Sequence, residues 1–229
     1  MTFTRSKLTV DAVIFDLDGT LIDSIGIYYE IIDIVFQRLE LPLVSNTQIV
    51  EAVKDGDFDW DVVLPENMLN RKDEIITDAR KIIDEIYPQM FGKDLKLIPG
   101  APEALKEISC SGMKIGIVTS TPAQGMAYKL KPLKSNGIEK LLEVIITADD
   151  VHEKKPAPEP LVECAKRLGM DYNKSVYVGD TRVDIRAGKA AGMKTIGVLT
   201  GFDDYESLKN EKPNAIINSI AELRKTIAI

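Results

Sequence analysis

Cysteine and positive charge are the two things this chain lacks. Only Cys110 and Cys164 are present, 54 residues apart. One disulfide could form between them. A chain with this much apolar residue does not need it, so free buried thiols in a reducing compartment are the expectation. Lys and Arg number 29 against 36 Asp and Glu, a net charge of −7. That balance argues against wrapping nucleic acid or coating an anionic membrane. No run approaches the ~20 apolar residues of a membrane span. The segment from Met1 to Thr9 is polar and lacks the apolar core of a signal peptide, so a cytoplasmic protein is expected. There are no internal repeats and no low-complexity tracts. What is left is 45% hydrophobic and 28% charged, enough core for one or two globular domains.

One stretch organises the rest. Ala12 to Phe15 is a short apolar run of the kind that makes a buried strand, and it leads into Asp16-Leu17-Asp18-Gly19-Thr20. Residues i and i+2 of an extended chain point the same way, so Asp16 and Asp18 leave the strand side by side. Two adjacent carboxylates repel unless a metal lies between them or one keeps a proton. The plainer alternative is an Asx/Gly turn chosen for backbone reasons.

Beyond Thr20 the pattern is helical. Ser24 is a candidate cap, and Tyr28, Ile31, Ile32, Val35 and Leu39 form one stripe that ends at Leu41-Pro42. A short helix over Thr47–Val53 and a longer one over Arg71–Tyr87 follow. Leu21 to about Phe91 therefore reads as all-helical, with no strand. From Gly92 strands and helices alternate. Strands are expected at Lys114–Val118, Val144–Ile146, Ser175–Val178, Thr195–Val198 and Ala215–Ile217. Helices are expected at Pro102–Ser109, Pro122–Leu133 (bent or ended by Pro132), Pro158–Leu168, Thr181–Ala191 and Ile220–Thr226. This rhythm predicts an α/β fold, a Rossmann-like parallel sheet with helices on both faces, interrupted after its first strand by a helical insertion.

Ligands of open α/β sheets bind beyond the carboxyl ends of the strands. The strand exits here carry Asp16 and Asp18; Thr119-Ser120-Thr121-Pro122; a loop reaching Lys154-Lys155-Pro156; and Gly179-Asp180-Thr181-Arg182-Val183-Asp184. Each has an ordinary structural explanation as a cap or a solvated loop. Together, on four exits and in this order, they point to a site.

Their order and wording resemble the haloacid dehalogenase superfamily, in particular its phosphoglycolate-phosphatase-like branch. Asp16-Leu17-Asp18-Gly19-Thr20-Leu21 matches the first motif, Thr119 the second, Lys155 in Lys-Pro-Ala-Pro-Glu-Pro the third, and Gly179-Asp180 with Asp184 the fourth. Ile98-Pro99-Gly100-Ala101 and Ala187 to Met193 are similar to linking segments of that branch. The resemblance implies a catalytic core of residues 1–20 and 92–229 and a helical cap, or lid, of residues 21–91. It implies a Mg²⁺-dependent phosphatase of small phosphorylated metabolites, acting as monomer or homodimer, with Asp16 as nucleophile and an aspartyl-phosphate intermediate. Asp18 would be the general acid and base. Asp16, the backbone carbonyl of Asp18, Asp180 and Asp184, the last directly or through water, would hold the metal with hard oxygen donors. Asp184, four residues after Asp180, would share a helix face with it. Lys155 would neutralise Asp16 and the phosphoryl group. Thr119 and Ser120, with amides of the following helix start, would bind phosphoryl oxygens.

Within the superfamily a sugar-phosphate mutase would carry a histidine near the first cap helix. The one histidine, His152, lies elsewhere, in a charged loop where a solvated, structural role is expected, and Tyr28 and Tyr29 stand in its place. A phosphonate-cleaving relative would use a cap lysine, for which Lys54 is about in position, but carries arginine where Lys155 stands. The dehalogenase branch lacks the second acid. A catalytically idle binding protein is the alternative of a different class. Lys54 to Asp61 is an acidic stretch, and the resemblance puts the branch's specificity loop at Val53 to Trp60, with Asp55, Asp57 and Asp59 flanking Phe58. It would disfavour doubly anionic substrates if it faced the site, or be a solvated turn with Phe58 and Trp60 packed on the cap.

Overall fold

A computed structural model describes residues 7–53, 57–93 and 95–228. Two compact units emerge: Met1–Asp23 with Lys96–Ile229, and Ser24–Leu95.

The first unit is built on a parallel sheet. Its strands are β1 (Ala12–Phe15), then, after the helical unit, β4 (Lys114–Val118), β5 (Val144–Ile146), β6 (Ser175–Gly179), β7 (Lys194–Val198) and β8 (Ala215–Ile217), in the order β5-β4-β1-β6-β7-β8. β1 lies in the middle, with Ala12 opposite Lys114 on one side and Ser175 on the other. A central parallel strand is covered on both faces, so all four of its residues are apolar and buried. The connecting helices are α5 (Ala101–Cys110), α6 (Ala123–Lys129), α7 (Lys131–Ser135), α8 (Glu159–Leu168), α9 (Arg182–Ala190), α10 (Tyr205–Asn210) and α11 (Leu223–Thr226). Ala12, Ile14 and Tyr177 pack with Leu161, Cys164 and Leu168 of α8 and Ala187 of α9. Val13, Phe15, Ile115, Ile117 and Val178 alternate with them and are equally buried toward the opposite face, where right-handed crossovers place α5 to α7. The order of strands reverses at β1, between β4 and β6. That is the switch point at which such sheets open a crevice.

The second unit is helical: α1 (Ile25–Arg38), α2 (Asn46–Ala52), α3 (Trp60–Val63) and α4 (Lys72–Gly92). Its core combines Ile31, Val35 and Phe36 of α1, Ile49 and Ala52 of α2, Val63 of α3 and Ile75, Ala79, Ile86 and Phe91 of α4.

The structure departs from the sequence reading in several places. Ile22–Asp23 (β2) pairs antiparallel with Lys96–Leu97 (β3), although no strand is expected near Leu21. Two residues are too few to show alternation. α4 passes through Pro88 and continues to Gly92. Packing of Phe91 against Tyr87 (centroids 4.4 Å apart) and Tyr28 (5.4 Å) outweighs the lost backbone hydrogen bond. Pro132 does not merely bend its helix; the helix breaks at Leu130 and restarts with Pro132 in its first turn. Ser24 stands at the start of α1, but its side chain forms no cap hydrogen bond there. Cys164 is buried, with its thiol pushed up to about 12 by desolvation, whereas Cys110 is exposed; both are free. Among the described residues no helix is long and apolar enough to cross a membrane.

Candidate active site

The four strand exits converge. β1 ends at Phe15, and the chain turns at Gly19, whose φ of +72° lies in the left-handed region. A side chain there would strike the Asp180 carboxylate and the Gly201 backbone, so glycine is required on both counts. The Thr200 hydroxyl donates to the Gly19 carbonyl at 2.7 Å, tying this turn to the exit of β7.

Asp16, Asp180 and Asp184 each place a carboxylate oxygen within 4.8 Å of the others, and all three are buried. Lys155 reaches into this cluster on a loop before α8. Its Nζ donates to Asp16 Oδ1 and to Asp184 Oδ1, both at 2.7 Å, and to the Tyr177 hydroxyl at 3.1 Å. Asp180 accepts from the Thr20 hydroxyl and the Phe202 amide, both at 3.0 Å. Asp184 does not reach the cluster as the helix neighbour of Asp180. Thr181 is the N-cap of α9 and Asp184 its third residue, so a capping box carries the carboxylate back, with Thr181 N and Oγ1 donating to Asp184 Oδ2 at 3.0 and 2.6 Å.

Charge explains the protonation behaviour. Burial, with Asp184 and Asp18 nearby, raises Asp16 to about 7, despite the opposing pull of Lys155. Burial and the charges of Asp16 and Asp184 push Asp180 well above the carboxylate range. Burial alone would lower Lys155; the charges of Asp16 and Asp184 outweigh it and hold the ammonium well above its ordinary value. Asp16, Asp18, Asp180 and Asp184 are set against two buried ammonium groups, Lys155 and Lys129. Fully ionised, the group is two positive charges short. One divalent cation supplies that deficit, and an all-oxygen set of buried acids suits Mg²⁺. The residues present fit the metal.

The second side of the crevice is formed by the exit of β4. Thr119 is buried, and its hydroxyl accepts from the Thr121 amide at 3.1 Å; Ser120 is exposed. The first amide of α6, that of Ala123, donates to Asp149 at 2.8 Å, so it is already engaged rather than set aside for a ligand as expected. Lys129 is a residue the sequence reading passed over. It lies on the buried face of α6, fully enclosed, and donates to Asp18 Oδ2 at 2.6 Å and to Thr121 Oγ1 at 2.8 Å. The signal that could have found it is a lysine three residues after buried Met126, on an apolar stripe.

Other candidates lie outside this cluster. His152 is exposed and its backbone amide donates to Glu159. Of the acidic stretch, Lys54, Asp55 and Gly56 lie outside the described residues. Phe58 meets Trp60 edge-on, and Trp60 stacks on Phe36 at 6.0 Å within the helical unit. Asp59 caps α3 by accepting from the Asp61 amide at 3.0 Å, and Asp61 pairs with Lys72 at 2.7 Å.

The model of the haloacid dehalogenase-like hydrolase family matches residues 13–198, a span that contains every one of these exits. The chain is a haloacid dehalogenase-like hydrolase. Phosphoglycolate phosphatase of Salmonella choleraesuis (strain SC-B67) is 31% identical to this hydrolase over 241 residues, covering 96% of this chain and 93% of that one. The crystal structure of CbbY from Rhodobacter sphaeroides, in complex with phosphate, superposes with a TM-score of 0.71 at 18% identity, over 93% and 96% of the two chains. A candidate β-phosphoglucomutase of Thermotoga maritima gives 0.64 at 25% identity, over 93% and 96%. The hydrolase is thus an enzyme of the phosphoric monoester class by family, in a family that generally uses Mg²⁺.

Proposed function

We propose that this hydrolase cleaves small phosphomonoesters, with phosphoglycolate-like compounds as the leading substrate class, through an aspartyl-phosphate on Asp16. The observation that carries the reading is the pairing of Asp16 with Lys155 at 2.7 Å inside a buried cluster of acids. An isolated buried carboxylate would simply stay protonated. Here a neighbouring ammonium favours the anion that a nucleophile must be.

Asp16, the Asp18 carbonyl, Asp180 and Asp184 would hold Mg²⁺, which when bound supplies charge neutralisation for the carboxylates and the phosphoryl oxygens. The chain's own groups perform the rest. An Asp16 oxygen attacks phosphorus as the ester P–O bond breaks, and Asp18 gives a proton to the departing alkoxide. Asp18 then takes a proton from water as the water oxygen bonds to phosphorus. The Asp16–phosphorus bond breaks and inorganic phosphate leaves. Lys155 offsets charge at Asp16, and the Thr119 and Ser120 side chains bind phosphoryl oxygens. The helical unit is assigned the cap's role on its sequence position. Phosphoglycolate leads because the Salmonella relative is named for it, and because Asp59 and Asp61 are occupied locally rather than set aside to repel an anion.

The test is phosphate release from a panel of phosphorylated metabolites, with and without Mg²⁺, for the wild type and Asp16→Asn. Mg²⁺-dependent release that falls at least a hundredfold in Asp16→Asn, ~3 kcal/mol of barrier, supports the reading. Isomerised sugar phosphate without net phosphate release would instead make it a mutase.

A further inference from the structure

A lysine buried without a trace of exposure is rare unless a partner requires it. Lys129 is such a residue, and its partner is the carboxylate to which the proposed mechanism gives both proton transfers. The ammonium sits at 2.6 Å from Asp18 Oδ2. The Thr121 hydroxyl donates to the same oxygen at 3.2 Å and accepts from Lys129 at 2.8 Å, closing a three-membered network. The network is anchored to the phosphate side of the crevice: the Thr121 amide donates to Thr119 Oγ1 at 3.1 Å, and the Thr121 carbonyl accepts from Ala148 at 3.2 Å. Lys129 itself is carried by the last turn of α6, whose buried residues are otherwise Gly125 and Met126.

Packing gives no reason for a charge here. Methionine would fill the same volume beside Met126 without the cost of desolvating an ammonium, and a buried ion pair is poor value for stability alone. A carboxylate on a loop, by contrast, has a freely rotating side chain, and proton transfer needs it within hydrogen-bond reach of the leaving oxygen. We propose that Lys129, with Thr121 as its relay, is a positioning residue: it fixes the Asp18 carboxylate for proton delivery to the leaving group and proton removal from water. This deepens the proposed phosphatase reading and rests on it.

The chemistry supplies a readout that a packing role would not move. An activated aryl ester such as p-nitrophenyl phosphate needs little protonation of its leaving group; an alkyl phosphate such as phosphoglycolate needs it fully. In Lys129→Met, phosphorylation of Asp16 by p-nitrophenyl phosphate, followed as the single-turnover burst of p-nitrophenol, should stay within threefold of wild type. Single-turnover cleavage of phosphoglycolate, or of the best alkyl phosphate found for the wild type, should fall at least thirtyfold. Thr121→Val should shift the same ratio in the same direction by a smaller factor. Thermal melting of both variants checks folding, and if Lys129→Met does not fold, Lys129→Gln, which keeps a donor, replaces it and should lie between. Equal losses on both esters, or none, overturn the inference. A wild type without an Mg²⁺-dependent burst on either ester, or an Asp16→Asn that retains it, refutes the phosphatase reading instead, so the two failures are distinguishable.

Discussion

Two buried lysines serve the two acids at the exit of β1, and they differ in almost everything but charge. Lys155 bridges Asp16 and Asp184 at 2.7 Å to each and rests beside the Tyr177 hydroxyl. Its cluster contains three acids and leaves room in its charge balance for a cation. Lys129 meets Asp18 at 2.6 Å in a network that includes the Thr121 hydroxyl at 2.8 Å. Asp16 is within a buried group that keeps its proton up to about pH 7, while the Asp18 side chain is 15% exposed, open to a leaving group and to water. The difference teaches how one strand end can separate two acids of the same type. Leu17 between them is wholly buried, and each acid is committed to its own cation.

The largest expected effect comes from breaking the first pair. Lys155→Met leaves Asp16 and Asp184 with no ammonium between them. Turnover should fall by at least a thousandfold, ~4 kcal/mol, and Lys155→Arg should not rescue it, because a planar fork cannot place one nitrogen between two carboxylates and a phenol. Steady-state kinetics at saturating Mg²⁺ check this; recovery to within tenfold by arginine would show that only charge matters.

Next is the coupling of stability to pH and metal. Asp16 binds its proton more tightly in the folded protein, at about 7, than at its ordinary 3.8. A group raised in this way stabilises the fold fully below about pH 4, and that stabilisation fades as pH rises through 7. Its full size is on the order of 4 kcal/mol before the neighbouring ammonium and relaxation reduce it. In EDTA the Tm should therefore decline between about pH 4 and 7, and added Mg²⁺ should raise it more at pH 8 than at pH 5, because the cation displaces protons. A Tm gain from Mg²⁺ that is the same at both pH values would place the cation elsewhere.

A smaller effect is expected of Tyr177→Phe. The hydroxyl accepts from Lys155 and lies 3.2 Å from the Val118 carbonyl and 3.1 Å from Asp184 Oδ1, so it orients the lysine. Its loss should cost about 1–2 kcal/mol of stability by thermal melting and less than tenfold in kcat. A larger rate loss with unchanged Tm would give Tyr177 a closer part in the reaction.

The contrast between the lysines is also a contrast in what the sequence reveals. Lys155 follows a polar loop and precedes Pro156 on a strand exit; the alternation of strands and helices put it among the candidates, and the resemblance to the superfamily's third motif set it beside Asp16. The strands at 114–118, 144–146 and 215–217 end where apolar patterning places them, because each is written as a short apolar run, Ile-Gly-Ile-Val after Lys114, Val-Ile-Ile and Ala-Ile-Ile. Lys129 was illegible for the opposite reason. Lysine on a helix is ordinarily solvated, and only the docking of α6 turns that face inward. Asp184 was expected near the cluster for an incomplete reason, a shared helix face, when the capping box with Thr181 brings it there. The β2–β3 ribbon was missed because its register pairs Ile22 with Leu97 and Asp23 with Lys96, partners far apart in the chain that no local pattern encodes.

The most direct test of two acids with two separate tasks is a rapid acid quench of enzyme mixed with p-nitrophenyl phosphate and Mg²⁺, followed by peptide mass spectrometry. For Asp18→Asn the prediction is a phosphoryl adduct on Asp16 that accumulates, since its formation needs little proton transfer and its hydrolysis needs the missing base. Asp16→Asn should give no adduct at all. An adduct on another residue, or its absence from Asp18→Asn under conditions where the wild type turns over, would contradict the account.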